Sequence, residues 1–435
     1  MNLPKIFRTD GWASLLSGLA GSRDKLESSQ VASPHQQTDI DATNLYMGDG
    51  IGAAGIDMVG EDVIQPGFEV AGDNGKIYDE LRALGLNQAI QDAWAAKRLH
   101  GGALLVFDME GESFDQPLAL EGRHRLRGFK VYPRSRIKFK PEEFVTDTAS
   151  PYFEGFERFH IYHMDRASTF EVHASRCIVL HGVKFLDPTN APNFTAELRW
   201  WGCSILPRVF HPLAAYGGFL QGLGNMGHEL VIGKYKLSNL EQLVAESNWQ
   251  AMNARLGAID TQKSILHGVF LGEGEDYTRD AVSLGGVGDA MDRIMMAVGG
   301  AFRIPVTRMF GRSAAGMNAT GEGDMDNYNK YLKGIQENEL LSVLVRVVQV
   351  VDSYLKVLNL KPGEHPSITF NALEIPSEQE IATTRNQVAD SDSKYINMGV
   401  LSPDEVRKNR FQGGYSMETA VEDDAAPDLS QEPEV

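Results

Sequence analysis

Cysteine is nearly absent: a chain of 435 residues carries two, Cys177 and Cys203. They belong to no C-x-x-C pair, which argues against a zinc site or a disulfide framework. Both lie in apolar neighbourhoods and read as small buried hydrophobes of a reducing compartment. Long hydrophobic runs are missing too. No stretch approaches the roughly 18–20 apolar residues of a membrane span. The opening MNLPKIFRTDGWASLLSGLAG has no apolar core long enough for a secretory signal. The chain is therefore expected to stay in the cytoplasm where it is made, or to enter an assembly built there, with no membrane partner. Positive charge is scarce: 41 Lys and Arg face 59 Asp and Glu, a net of −18. That balance argues against a tight, sequence-reading DNA binder. It leaves room for a surface past which DNA slides, because phosphate attraction is what makes non-specific binding strong.

Catalytic and cofactor signatures are thin. Gly50, Gly52 and Gly55 form a literal G-x-G-x-x-G. The residues before it, DATNLYMGD, are polar and helix-like, whereas a dinucleotide fingerprint needs a preceding strand. Small residues that let helices pack closely are the better reading. His160, His163, His173 and His181 lie among expected strands without H-E-x-x-H or H-x-H spacing, so a metal site is disfavoured. No pair of H-x-T motifs suggests nucleotide hydrolysis. Glu273, Glu275 and Asp276 sit in a Gly/Glu turn where acids are ordinary turn chemistry. No catalytic residue, metal or cofactor is expected.

What is present is the composition of a folded protein, 42% hydrophobic and 23% charged, long enough for two or three packed modules. Residues 22–43 are polar and read as part of a flexible arm. A helix is expected from Asn44 to Ile64, stopped at Pro66-Gly67, and a second from about Lys76 to Leu99. ALLVFDM reads as a buried strand. Residues 127–185 read as strands, including RGFKVYPRSRIKFK, FERFHIYHM and TFEVHASRCIVLHGVKF. A helix from Ser204 to His228 would be bent by Pro212. A link with Lys234 and Lys236 leads to another helix, about 238–261. SILHGVFLGEGEDYTRDAVSL reads as a pair of strands, and 288–302 as a Met-rich helix. The longest helical stretch runs from about Asp324 to Leu358. A short strand (ITFNAL) and two small helices follow, then a tail, 421–435, with six acids and no base. This order is α+β and lacks the strand–helix alternation of a doubly wound enzyme.

One patch is basic: Arg123, Arg125, Arg127, Lys130, Arg134, Arg136, Lys138 and Lys140. In RSRIKFK the charges alternate with Ile137 and Phe139, as on a half-buried strand. A solvated or subunit-contacting face is favoured over a phosphate track. The loop GRSAAGMNATGEGD, directly before the long helix, is different in kind. Gly316, Asn318, Gly321 and Gly323 give it freedom; Thr320 or Asp324 would cap the helix, with Asp326 near its positive end. A phosphate cradle wants Lys or Arg beside its glycines, and here acids follow, so nucleotide binding is disfavoured.

At this loop the chain resembles a known family. FRIPVTRMFGRSAAGMNATGEGDMDNYNKYLKGIQ is similar to the signature of a family of tailed-bacteriophage portal proteins, in which P-x-T-x-x-x-G leads to G-hydrophobic-N-A-T-G-E-G-D and an aromatic-rich helix. EVHASRCIVLHG, GCSILPRVFHPL, FLGEGEDYTRDAVSLGGVGDAMDRI and NMGVLSPDEVR are also family-like. The resemblance covers about residues 44–410, with a departure at Asn329, where an aromatic is common. It extends to portals fused to an anti-CBASS phosphodiesterase domain, whose H-x-T pair is absent here.

The resemblance implies a non-enzymatic subunit of a ring, a dodecamer, at a capsid vertex. Double-stranded DNA would pass through it non-specifically during packaging and ejection. Its implied partners are further copies, the terminase large subunit, the major capsid and scaffolding proteins and a tail adaptor. Its implied locations are the virion and, during assembly, the host cytoplasm. It implies a portal fold with a helical stem, a mixed α/β wing, a tunnel helix and a helical crown. On that map residues 1–43 are the arm, 44–203 wing, 204–228 the first stem helix and 229–238 the clip. Residues 239–261 are the second stem helix, 262–311 the wing return, 312–360 the tunnel loop and long helix, 361–420 the crown and 421–435 the tail. Asn318, Thr320, Glu322, Asp324, Asp326, Lys330 and Lys333 would face DNA, the acids lowering friction by repulsion and the lysines making weak contacts. Lys234 and Lys236 would face the motor, and Arg134, Arg136 and Lys138 a neighbouring subunit. The alternative reading is a phage scaffolding or interaction protein that is not a portal.

Overall fold

The structure is a computed structural model that describes residues 38–120, 124–190, 194–229, 231–236, 250, 253–254, 257, 276–281, 285–311, 322–361, 363–374 and 378–411. It opens with two helices, α1 (Asp39–Gly48) and α2 (Gly50–Ile64), where the sequence suggests a flexible arm followed by one helix. The difference lies in two caps. Thr38 and Asp41 form a reciprocal capping box that starts α1 inside the expected arm. Asp49 then leaves helical geometry, and its carboxylate accepts the N–H groups of Ile51 and Gly52, starting a new helix. The glycines of the literal cofactor motif serve packing: a Cβ at Gly55 would lie 2.5 Å from the Phe302 ring, and one at Gly52 would lie 2.7 Å from Leu45.

A short strand, β1 (Phe68–Val70), precedes α3 (Lys76–Ala83) and α4 (Leu86–His100). These too are two helices where one is expected. Gly85 sits at φ 77° between them, a left-handed turn that a side chain resists. Strand β2 (Gly102–Met109) is buried along its whole length. It pairs antiparallel with β3 (Leu126–Pro133) on one edge and with β7 (Cys177–His181) on the other. Between these in sequence lies a second sheet, in which β4 (Ile137–Lys138), β5 (Arg158–Tyr162) and β6 (Thr169–His173) pair antiparallel in that order. Leu104 and Val106 of β2 share one apolar cluster with Ile161 and Val172 of the second sheet and with Phe156, Phe159 and Trp201. The alternate residues of β2 face the other way, toward α4. Both faces are covered, so the strand is a continuous apolar run.

RSRIKFK is not one strand. The ladder stops at Pro133, which has no N–H to extend it, and Arg134–Arg136 is a 3-10 turn before the two-residue β4. The basic residues therefore do not share a face. Helix α5 (Ala196–Trp201) follows, then α6 (Leu206–Glu229), which contains Pro212.

After α6, β8 (Val231–Lys236) carries Lys234 and Lys236 and pairs antiparallel with β9 (Asp276–Ala281). Most of the hairpin expected over 264–284, including Glu273 and Glu275, lies outside the described residues; Asp276 opens β9. Of the helix expected at 239–261, residues 250, 253, 254 and 257 are described, all helical. Among the described residues the helix packed on α6 is instead α7 (Val287–Phe302), within the segment expected to be a wing return. Short α8 (Val306–Phe310) follows. The long helix comes next as α9 (Glu322–Ile335), a π-helical turn at Gln336–Leu340, and α10 (Leu341–Leu355). Buried Asp352 accepts the N–H groups of Leu358 and Leu360, turning the chain out of α10. Strand β10 (Ile368–Phe370) then pairs with β1.

With this pairing, residues up to Asn371 belong to the first compact unit, ten residues beyond the position 361 at which the crown is expected to begin. The second unit, from Ala372, contains α11 (Glu378–Asn397) and α12 (Pro403–Phe411). They are joined by a bidentate pair in which the buried Arg410 guanidinium donates to buried Asp392 at 2.8 and 2.9 Å. Helix α11, at 20 residues, is longer than the small helix expected. No helix among the described residues is long and apolar enough to cross a membrane.

Candidate functional site

The glycine- and acid-rich loop is bracketed by α8 and α9, and both are fastened to one carboxylate. Asp62 lies on the buried face of α2 and is 9% exposed. Arg308 of α8 donates to it twice, through Nε at 3.2 Å and Nη2 at 2.9 Å. The Tyr328 hydroxyl of α9 donates to the same carboxylate at 2.9 Å. A buried carboxylate is tolerable only where charge and hydrogen bonds satisfy it, and here two elements from either side of the loop do so. The bond to Asp62 holds the Arg308 guanidinium above its ordinary range. Burial, reinforced by the Asp62 charge, pushes the Tyr328 phenol far up, so it stays a donor.

One residue further along α2, the Val63 carbonyl accepts from Gln336 Nε2 at 2.9 Å. Tyr328, Leu332, Ile335 and Gln336 are all buried, the stripe expected of a helix pressed against the body of a protein. The π-helical turn starts at Gln336. Its extra residue lets that amide reach Val63 while Leu340 and Leu344 beyond remain in the core.

The opposite face of α9 is polar. Asp326, Lys330 and Lys333 are exposed there, and Lys333 Nζ stands 3.9 Å from Glu337 one turn on; Asp324 is exposed too, but four residues before Tyr328 it lies on the Tyr328 side, at the wall of a cavity. Glu322 opens the helix, while Asn318 and Thr320 lie outside the described residues. The structure thus gathers the four exposed residues on one helix, directly behind the loop.

The other expected sites are not gathered there. Lys234 and Lys236 lie on β8. Arg134, expected at a subunit contact, is turned inward: it is 8% exposed, donates to the His100 carbonyl at 2.6 Å and to Glu197 at 2.6 Å, and pairs with Asp39. Arg136 donates to the Tyr162 carbonyl at 2.7 Å and stacks over the Tyr132 ring. These two cations are spent inside the chain because the turn at 134–136 points them there; of the three, Lys138 is exposed.

The histidines are dispersed. His160 is buried against Glu143 and Lys140, while His173 Nδ1 accepts the Ser175 N–H. His163 lies against Phe170 and His181 against Trp200. Burial lowers the affinity of His173 and His181 for a proton, and it raises both cysteine thiols. Among the described residues no three His, Cys, Asp or Glu side chains converge as metal ligands.

Sequence reasoning missed Asp62, Arg308, Tyr328 and Gln336. One signal was available: Asp62 falls in the helical stripe Gly55, Val59, Asp62, Val63 of an otherwise apolar face, where a charge implies a partner.

Known proteins align with most of the chain. The chain is 24% identical over 345 residues to an uncharacterised protein of Haemophilus influenzae, covering 79% of this chain and 74% of that one. It is 26% identical over 358 residues to anti-CBASS protein Acb1 of Sphingomonas paeninsulae, covering 79% of this chain but 56% of that longer protein. Its fold is similar to a chain from the neck of an empty GTA particle computed with C6 symmetry, with a TM-score of 0.50 and 13% identity over 86% of this chain and 94% of that one. Residues 40–394, from α1 into α11 and including the loop with both of its fastened shoulders, match the family model described as phage portal protein, and the chain belongs to that family.

Proposed function

We propose that this chain forms a closed ring at a capsid vertex through which DNA is packaged and ejected, and that it is not an enzyme. The observation that carries this reading is the family match over residues 40–394. The geometry of α9 supports it. A conduit needs an element that presents charge to passing DNA yet cannot be dragged along by it. Helix α9 exposes Asp326, Lys330 and Lys333 and is held by Asp62 and Val63 on its other side, with Asp324 exposed in its first turn. Acids that repel phosphate lower friction, and Lys330 and Lys333 supply weak contacts. Asn318 and Thr320 of the loop, with Glu322 at the start of α9, would face the passing DNA.

The packing of α6 on α7 supports a stem different from the one expected from sequence. The stem is proposed to be α6 and α7. The long excursion between them, which starts and ends at the paired strands β8 and β9, is proposed as the clip. Lys234 and Lys236 would then face the terminase large subunit or a tail adaptor. The sheets around β2 and β5 would form the wing against capsid and scaffolding proteins, and the unit from Ala372 the crown. The chain would function in the virion, after assembly in the host cytoplasm.

Negative-stain images and native mass of the purified full chain test this. Annular particles with a central channel and a mass of about twelve subunits are expected. A monomer that stays monomeric at high concentration and low salt would favour a scaffolding or interaction protein and overturn the reading.

A further inference from the structure

Along the flank of the long helix lie two adjoining cavities of about 550 and 590 Å³, which share Arg303 and Tyr331 as a common wall. The Arg303 guanidinium lies over the Tyr331 ring, 5.5 Å from its centre. The Arg303 backbone is left-handed at φ 60°, a conformation that a side chain adopts at some cost and that here closes the end of α7.

The first cavity is cationic in a protein of net charge −18. Lys97 and Glu339 pair across it. Lys184, Arg208 and Arg303 are exposed at its walls and meet no carboxylate among the described residues. Arg98 is 8% exposed, gives one N–H to the Gly55 carbonyl at 2.8 Å, and leaves its Nε without an acceptor. A buried guanidinium N–H with no partner costs about 1–3 kcal/mol, and that cost is relieved when an acid arrives. Between the cations the wall is apolar, with Val179, Ile205 and Val343.

The hairpin of α1 and α2 has the opposite character. Ile40 and Met47, seven residues apart on α1, are 72% and 78% exposed. Beside them the Tyr46 hydroxyl donates to Asp57, and Asp92 of α4 is exposed nearby in the same field of acids. Burial, with Glu61 and Asp92 pushing the same way, raises the Asp57 carboxyl above its ordinary value, although the Tyr46 hydrogen bond and the Arg98 charge draw it down. A closed ring requires that each copy carry two different patches which fit one another, since its interfaces are heterologous.

We infer that the cavity bounded by Lys184, Arg208 and Arg303 receives the α1–α2 hairpin of a second copy of this chain, Asp57 and Asp92 meeting the cations and Ile40 and Met47 the apolar wall. This rests on the ring reading above.

The test compares ring formation by the full chain with that of three variants, using native mass and images at matched salt. The first, Lys184→Glu/Arg208→Glu, is expected to raise the concentration needed for ring assembly at least tenfold. The second adds Asp57→Lys/Asp92→Lys to the same chain, and its rings are expected to return. A milder Lys184→Gln/Arg208→Gln chain, expected to weaken rings less, reads the same contact should charge reversal disturb folding. Unchanged rings in both the Glu and Gln variants overturn the inference while leaving the ring reading in place. Intact rings that retain DNA poorly make phosphate the occupant and also overturn it. Loss without rescue rejects the hairpin as the partner. A wild-type chain that forms no ring removes the reading on which the inference stands.

Discussion

Helices α4 and α9 are both pressed against the body of the protein, but by different means. Helix α4 lies between α2 and the sheet around β2 with Leu86, Ala89, Ile90, Ala93 and Trp94 all buried, so its hold is close-packed and apolar. Helix α9 buries Leu332 and Ile335 as well, but it is registered by Tyr328 on Asp62 and Gln336 on Val63. Apolar packing is non-directional and spreads its energy over many contacts. Hydrogen bonds to one carboxylate fix a position through a few atoms, and they break together. A region that must stay folded suits the first arrangement, and a helix that must hold its register beside passing DNA suits the second.

Three changes break or sharpen this contrast. The largest effect is expected from Trp94→Ala, which empties a site 1% exposed and should cost about 3–5 kcal/mol. Denaturant unfolding should report it as a global loss; a change below about 1 kcal/mol would mean that α4 is not held by its apolar packing.

Asp62→Ala is expected to come next, at about 2–3 kcal/mol, because it strands the Tyr328 hydroxyl and an Arg308 guanidinium that water partly reaches. The loss should be local. Amide exchange should quicken over α8 and the first turns of α9 while β2 keeps its protection. Equal quickening in β2 would erase the distinction between the two regions.

The smallest effect concerns the second unit, where Arg410 draws the Asp392 carboxyl below its usual value of 3.8. A carboxylate lowered in the folded state stabilises fully above its unfolded value, and that contribution fades as pH falls through the folded one. Helical signal from α11 and α12 should therefore weaken below about pH 4, and Asp392→Asn should flatten that dependence. A profile unchanged by the substitution would show that the pair does not hold these helices.

Much of this was legible in the chain. Strand β2 announced itself as an apolar run, α7 and the long helix by their periodicity, and the family by the loop after Arg312. The turns inside apparent helices were harder. Asp49 and Gly85 each divide a stretch whose apolar spacing runs on through the break, and spacing alone does not show where a cap wins. The RSRIKFK segment misled for a similar reason: alternation suggested a strand, but Pro133 ended the ladder and Arg134 found acids inside the chain.

Composition and local pattern determined by themselves the α+β class, the main helices and strands, the acidic balance and the family resemblance, because these depend on neighbours in sequence. Tertiary structure alone decided that α6 meets α7, that β1 meets β10, and that Asp62 holds residues 246 and 266 positions further along the chain. A carboxylate has no preference for which distant donor satisfies it until packing brings one within about 3 Å. Partnership at long range is therefore a property of the fold and cannot be read from spacing.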